Sequence, residues 1–71
     1  MKLRYYPDTD SLYIELKSEP GAEVREVADG LNVDLSVTGE VVGFDIGHAS
    51  TRLDLTTLEA VALPLKTTRA A

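Results

Sequence analysis

Apolar and polar positions alternate with a period of two over most of this chain, and turn residues interrupt the alternation at short intervals. That pattern predicts half-buried β-strands. In the first stretch, Tyr5-Tyr6-Pro7-Asp8-Thr9-Asp10-Ser11-Leu12-Tyr13-Ile14-Glu15-Leu16 reads as two strands and a turn. Pro7 fixes φ early in the turn, and Asp8 and Asp10 can bond nearby backbone N–H groups. With Tyr6 and Ser11 flanking a four-residue loop, Tyr5 faces Leu12, Arg4 faces Tyr13, Leu3 faces Ile14 and Lys2 faces Glu15. One face is then apolar, and on the other Lys2 meets an opposite charge.

Ser18-Glu19-Pro20-Gly21 breaks the pattern. Ala22–Val27 reads as a third strand and Asp29-Gly30 as a tight turn. Leu31–Val37 and Glu40–Gly47 read as the fourth and fifth strands. With Thr38-Gly39 as a two-residue loop, Leu35 faces Val42, Val33 faces Phe44 and Leu31 faces Ile46. The third strand has two registers. A plain Asp29-Gly30 turn places Val24 opposite Leu35 and Glu26 on the core face. A bulge near Ala28 turns Val27 inward instead.

The period changes towards the end. Leu53, Leu55, Leu58, Val61, Ala62 and Leu65 recur at spacings nearer three and four. Thr56-Thr57-Leu58-Glu59 fits a capping box, and Pro64 limits the helix to about two turns. Such a helix is stable only when docked. The expected fold is therefore α+β and mainly β: an antiparallel sheet of about five strands in successive hairpins, with one short C-terminal helix on its Leu/Ile/Val face.

Length and composition then narrow the function. The chain has 71 residues, which suits one domain spanning 1–71, with a core over about 2–63 and a fraying tail over 66–71. A chain of this size buries only about 60% of the surface its unfolded form exposes, so self-association is expected. The chain has no cysteine and one histidine, which removes disulfides, thiolate sites and His-rich metal sites. No cofactor or metal ligand set is expected. The N-terminal residues lack a signal-peptide pattern and no apolar run reaches membrane-span length, so a cytoplasmic location away from membranes is the default. A net charge of −5 with scattered Lys and Arg argues against direct nucleic-acid binding.

Few residues invite chemistry. Asp8-Thr9-Asp10 has too few oxygen ligands for a calcium loop and reads as turn chemistry. Asp34 and Asp45 share the outer face, where they could do acid–base work or simply be solvated, with Arg25 as a cross-strand partner for Asp34. His48 is the only residue that titrates near neutrality, and no nucleophile motif accompanies it. No catalytic residue is assigned. Gly43 and Gly47 mark close approach of a backbone or an aromatic ring. Tyr6 and Tyr13 on the same face could supply the rings, or a second subunit could dock there. The candidate interaction surface is thus Tyr6, Tyr13, Gly43, Asp45, Gly47 and His48.

Several of these residues also carry a resemblance. Tyr5, Pro7-Asp8, Asp10, Leu12-Tyr13-Ile14, Arg25-Glu26-Val27, Gly30-Leu31-Asn32-Val33-Asp34, Gly39, Val41-Val42-Gly43 and Ile46 with Ala49-Ser50 resemble the bacterial domain-of-unknown-function family numbered 2283, over roughly Leu3 to Leu58. The family has no established activity, so the resemblance supplies no catalytic residues. It does imply an antitoxin-like role, because some relatives are thought to lie beside small toxin-like proteins. The reading from the residues is a non-enzymatic interaction module, either a homodimer or the partner of a small basic protein. The alternative is a small ligand-binding protein or enzyme using Asp34, Asp45 and His48.

Overall fold

The computed structural model describes residues 1–64; the tail expected over 66–71 lies outside them. Five strands form one antiparallel sheet: β1 (Lys2–Tyr6), β2 (Ser11–Glu15), β3 (Glu23–Ala28), β4 (Leu31–Leu35) and β5 (Val41–Ile46). Their order across the sheet is β1-β2-β5-β4-β3. A single turn of helix, α1 (Ala49–Arg52), follows β5. The mainly β, α+β expectation therefore holds.

The first hairpin has the register that side-chain matching predicts, from Lys2 opposite Glu15 to Tyr6 opposite Ser11. The β4–β5 hairpin matches over Leu31–Ile46, Val33–Phe44 and Asp34–Gly43. It departs at the loop. Ser36 N–H donates to Glu40 O at 2.8 Å and Gly39 N–H to Ser36 O at 2.9 Å, so the loop has three residues, Val37-Thr38-Gly39, rather than two. Gly39 takes φ 85°, the left-handed position that ends this loop type. The buried Ser36 hydroxyl holds the loop by accepting from Thr38 and Glu40 N–H. Leu35 consequently opposes Val41 and not Val42, and the register shift beside them restores Asp34 opposite Gly43.

β3 combines both alternatives. The two-residue Asp29-Gly30 turn is present, with Ala28 opposite Leu31, and the ladder shifts between Glu26 and Ala28. The extra residue, Val27, is 55% exposed. Glu26 moves to the outer face opposite Asn32. Arg25 opposes Val33, not Asp34, and binds Glu23 at 2.7 Å. A charged pair therefore occupies the inner side of this edge strand, a feature that discourages further strand pairing.

The end of the chain differs most from expectation. No helix starts at Thr56; the helix of this fold lies earlier, at Ala49–Arg52. The Asp54 carboxylate accepts from Thr56 N–H at 3.0 Å and from the Thr56 and Thr57 hydroxyls. These local bonds offer the backbone an alternative to the helix ladder, and Pro64 denies a helix the length to compete.

The connection from β2 to β3 must pass β5 and β4. Leu16 N–H donates to Val42 O, Ala22 N–H donates to Leu35 O, and Gly21 stands beside the Asp34 side chain. A Lys17–Glu40 ion pair ties this connection to the β4–β5 loop.

Candidate functional site

Alternation gives the sheet two different faces. The outer face carries Tyr13, Asp34, Gly43 and Asp45. Tyr13 on β2 opposes Asp45 on β5, and Asp34 on β4 opposes Gly43 on β5. The Tyr13 hydroxyl donates to Asp34 Oδ2 at 2.6 Å, so its ring spans β5 above Gly43. A Cβ at Gly43 would lie 2.2 Å from that hydroxyl and 2.6 Å from Cζ. The glycine is the space the ring needs. Of the two candidate tyrosines, Tyr13 covers the glycine; Tyr6 is 46% exposed. Gly47 meets a backbone instead: its N–H donates to Gly30 O at 2.8 Å, and the atoms nearest a Cβ there belong to Gly30. Of the two readings of Gly43, a ring of the same chain or a docked second subunit, the structure shows the first: Tyr13 fills the space above the glycine.

Asp34 accepts this bond in a half-buried setting, with Asp45 and Glu15 nearby. Together they favour the neutral phenol and push Tyr13 up to about 12, the hydrogen bond to Asp34 contributing most. A raised folded-state value stabilises the fold below the ordinary 10.0 and loses that stabilisation as pH rises towards 12. Melting temperature should therefore fall as pH rises above about 10. Tyr13→Phe should show a shallower alkaline fall, with the remainder carried in part by Tyr5, whose hydroxyl is also raised by its bond to Asp10. Identical alkaline limbs in the two proteins would contradict this role for Tyr13.

His48 does not join Asp34 and Asp45 on the strands. It sits in the turn after β5 with φ 52°, at the N-cap of α1, and its side chain makes no capping bond. Histidine is among the residues that tolerate this left-handed backbone.

Sequence reasoning gave Asp10 only a local turn role. The carboxylate in fact reaches across the sheet end. It accepts from the Tyr5 hydroxyl at 2.7 Å, the Ser50 hydroxyl at 2.7 Å and Ser50 N–H at 3.1 Å, while Asp10 O accepts from Ala49 N–H at 2.9 Å. The Tyr5 bond and then the Ser50 bonds hold its carboxyl below the ordinary range, with help from the His48 charge. This stabilisation is present above the ordinary carboxylate pKa and is lost as pH falls through the lowered one. The knot buries Ala49 completely. The left-handed backbone at Asp10, φ 51°, aims the group at residue 50, a long-range contact that no local pattern signals.

The inner face is apolar and only partly covered. Leu12, Val33, Leu35 and Val42 are buried, whereas Leu3, Ile14, Leu16, Leu31, Phe44 and Ile46 are only half-buried. The extensive contacts between elements are those between neighbouring strands; α1 does not form a second layer. At the β1–β2 end, Leu53, Leu55 and Leu58 stand over Leu3, Tyr5 and Leu12, leaving an open cavity of about 640 Å³. Its walls are mostly hydrocarbon, with Asp54 and Thr57 the polar exceptions beside Tyr5, which suits apolar contact rather than proton transfer. Among the described residues no group of three His, Cys, Asp or Glu side chains is placed to hold a metal ion. No helix of the described residues is long and apolar enough to cross a membrane.

No curated protein matches the chain, and no solved structure does. One family model matches residues 2–50, a span that contains all five strands and ends at Ser50, the partner of Asp10. With more than half of its length matched, the chain belongs to the family described as "Protein of unknown function (DUF2283)".

Proposed function

We propose that this chain is a non-enzymatic interaction module that works as a homodimer, with a second copy covering the inner face of its sheet. One observation carries the reading. A sheet usually hides its apolar face beneath a second layer, yet here Ile14, Leu16 and Phe44 remain half-buried, and among the described residues the extensive contacts between elements are only those within the sheet. A core this thin gains stability from association. The absence of cysteine suits a reducing compartment, and we place the module in the cytoplasm.

A basic protein partner, as in an antitoxin-like role, fits the same module through its other face. There Asp34, Asp45 and Glu15 act together on Tyr13, and the net charge of −5 would speed encounter with a cation. The rival reading, a ligand site or enzyme built on Asp34, Asp45 and His48, has less support. Asp34 is engaged by Tyr13, and the 640 Å³ cavity is walled by inner-face residues and the C-terminal segment.

If the second copy completes the core, melting temperature should rise with protein concentration. A melting temperature unchanged across a hundredfold dilution series would overturn the homodimer reading.

A further inference from the structure

The inner face has a counterpart in the same chain. Beyond α1, residues 53–64 carry Leu53, Leu55, Leu58, Val61 and Leu63. The first part of this segment rests on the sheet, where Leu53, Leu55 and Leu58 wall the cavity over Leu3, Tyr5 and Leu12. Its outer side chains are more exposed: Leu58, although it walls the cavity, is 75% exposed, Val61 72% and Leu63 49%. Among the described residues, each chain therefore has an exposed apolar strip, Leu58, Val61 and Leu63, and a half-buried apolar surface around Ile14, Leu16 and Phe44. Single exposed leucines are ordinary, but a run of them beside an uncovered face marks an interaction site.

We infer that the outer part of this segment, residues 58–64, seats on the inner face of the other copy, so that the dimer forms by exchange of C-terminal segments. This rests on the homodimer reading above and adds what occupies the face. Two-fold exchange fills both faces with both strips and leaves neither over, which a closed symmetric dimer requires. Direct stacking of two sheets would not do so. It would leave Val61 and Leu63 in water, and the segment already raised over Leu3, Tyr5 and Leu12 would hold the sheets apart at that end. Reach is sufficient: residues 58–64, if extended, span about 24 Å, against a five-stranded sheet about 20 Å wide. The segment carries Asp54 and Glu59 as its only charges, and the Asp54 carboxylate is already bonded to Thr56 and Thr57. Few charges therefore have to be desolvated when it seats.

The native chain has no cysteine, so introduced thiols report cleanly. Ile14→Cys and Leu58→Cys proteins, each confirmed folded by circular dichroism, are mixed and treated with a short bismaleimide. The expected product is a covalent heterodimer joining one of each, formed in preference to either homodimer. The doubly substituted protein should cross-link between chains rather than within one. If Ile14→Cys does not fold, Leu16→Cys takes its place. Leu58→Asp, which alters a side chain mostly in water within its own chain, should weaken association more than tenfold with the circular dichroism spectrum retained. Cross-links confined to single chains, or association unaffected by Leu58→Asp, would overturn the exchange. If light scattering still gives twice the chain mass in that case, the homodimer stands without the exchange; a single-chain mass would remove both.

Discussion

Gly43→Val is expected to destabilise the fold by about 2–4 kcal/mol. The substitution forces the Tyr13 ring off β5, because the new Cβ would sit 2.2 Å from its hydroxyl and 3.2 Å from Ile14 O. Losing a hydrogen bond to a carboxylate costs about 1.5–3 kcal/mol, and the half-exposure of Asp34 puts this bond at the lower end. Overpacking adds about 1–3 kcal/mol, and the better strand propensity of valine returns up to about 1 kcal/mol. The clash also defines a control. In a Tyr13→Ala background most of the cost should vanish, because the two residues act through one contact. Urea midpoints for the four proteins of this cycle give the coupling. An equal penalty with and without the tyrosine would show that Gly43 serves some other need. Dimer mass should be unaffected by Gly43→Val wherever the protein remains folded, since the ring over Gly43 comes from the same chain.

If a second copy covers the inner face as proposed, Phe44→Ala should cost about 3–5 kcal/mol at high protein concentration. The size of this loss depends on cover. Phe44 opposes Ile14 on one side and Val33 on the other, at the centre of the inner face, yet it remains half-buried within one chain. A half-buried ring forfeits correspondingly less transfer free energy when removed. The full penalty therefore belongs to the associated state, and dilution should shrink it. A loss below about 1 kcal/mol at high concentration would show that neither the sheet nor a second copy covers this ring.

Much of the sheet was legible in the sequence because each register can be checked by side-chain matching. In β1–β2 a one-residue slip would have put Leu3 and Ile14 on opposite faces, so a single pairing survived, and it is the one observed. In β4–β5 the same test located the Val33–Phe44 and Leu31–Ile46 pairs but missed the loop length. Two-residue and three-residue loops differ by one position, and the shift beside Leu35 hides that difference from the rest of the ladder. β3 could not be resolved because its residues offer no matching. Every one of them is exposed, and the Arg25–Glu23 pair stands where an apolar side chain would otherwise mark the face.

The C-terminal leucines illustrate a different limit. Their spacing does not distinguish a helix that docks on its own sheet from a non-helical strip, and the bonds that the Asp54 carboxylate accepts from Thr56 and Thr57 decide against the helix. At the candidate sites, Tyr13 over Gly43 followed from alternation and the cost of glycine in a strand. The Asp10–Ser50 tie did not, because it joins residues far apart in the chain through a backbone turn that propensity does not specify.

The most direct test of the account is the mass of the wild-type chain in solution at high micromolar concentration, measured by light scattering. The account expects twice the single-chain mass of 7.7 kDa, because the proposed second copy would complete the inner face of the sheet. A mass of 7.7 kDa under those conditions would contradict it.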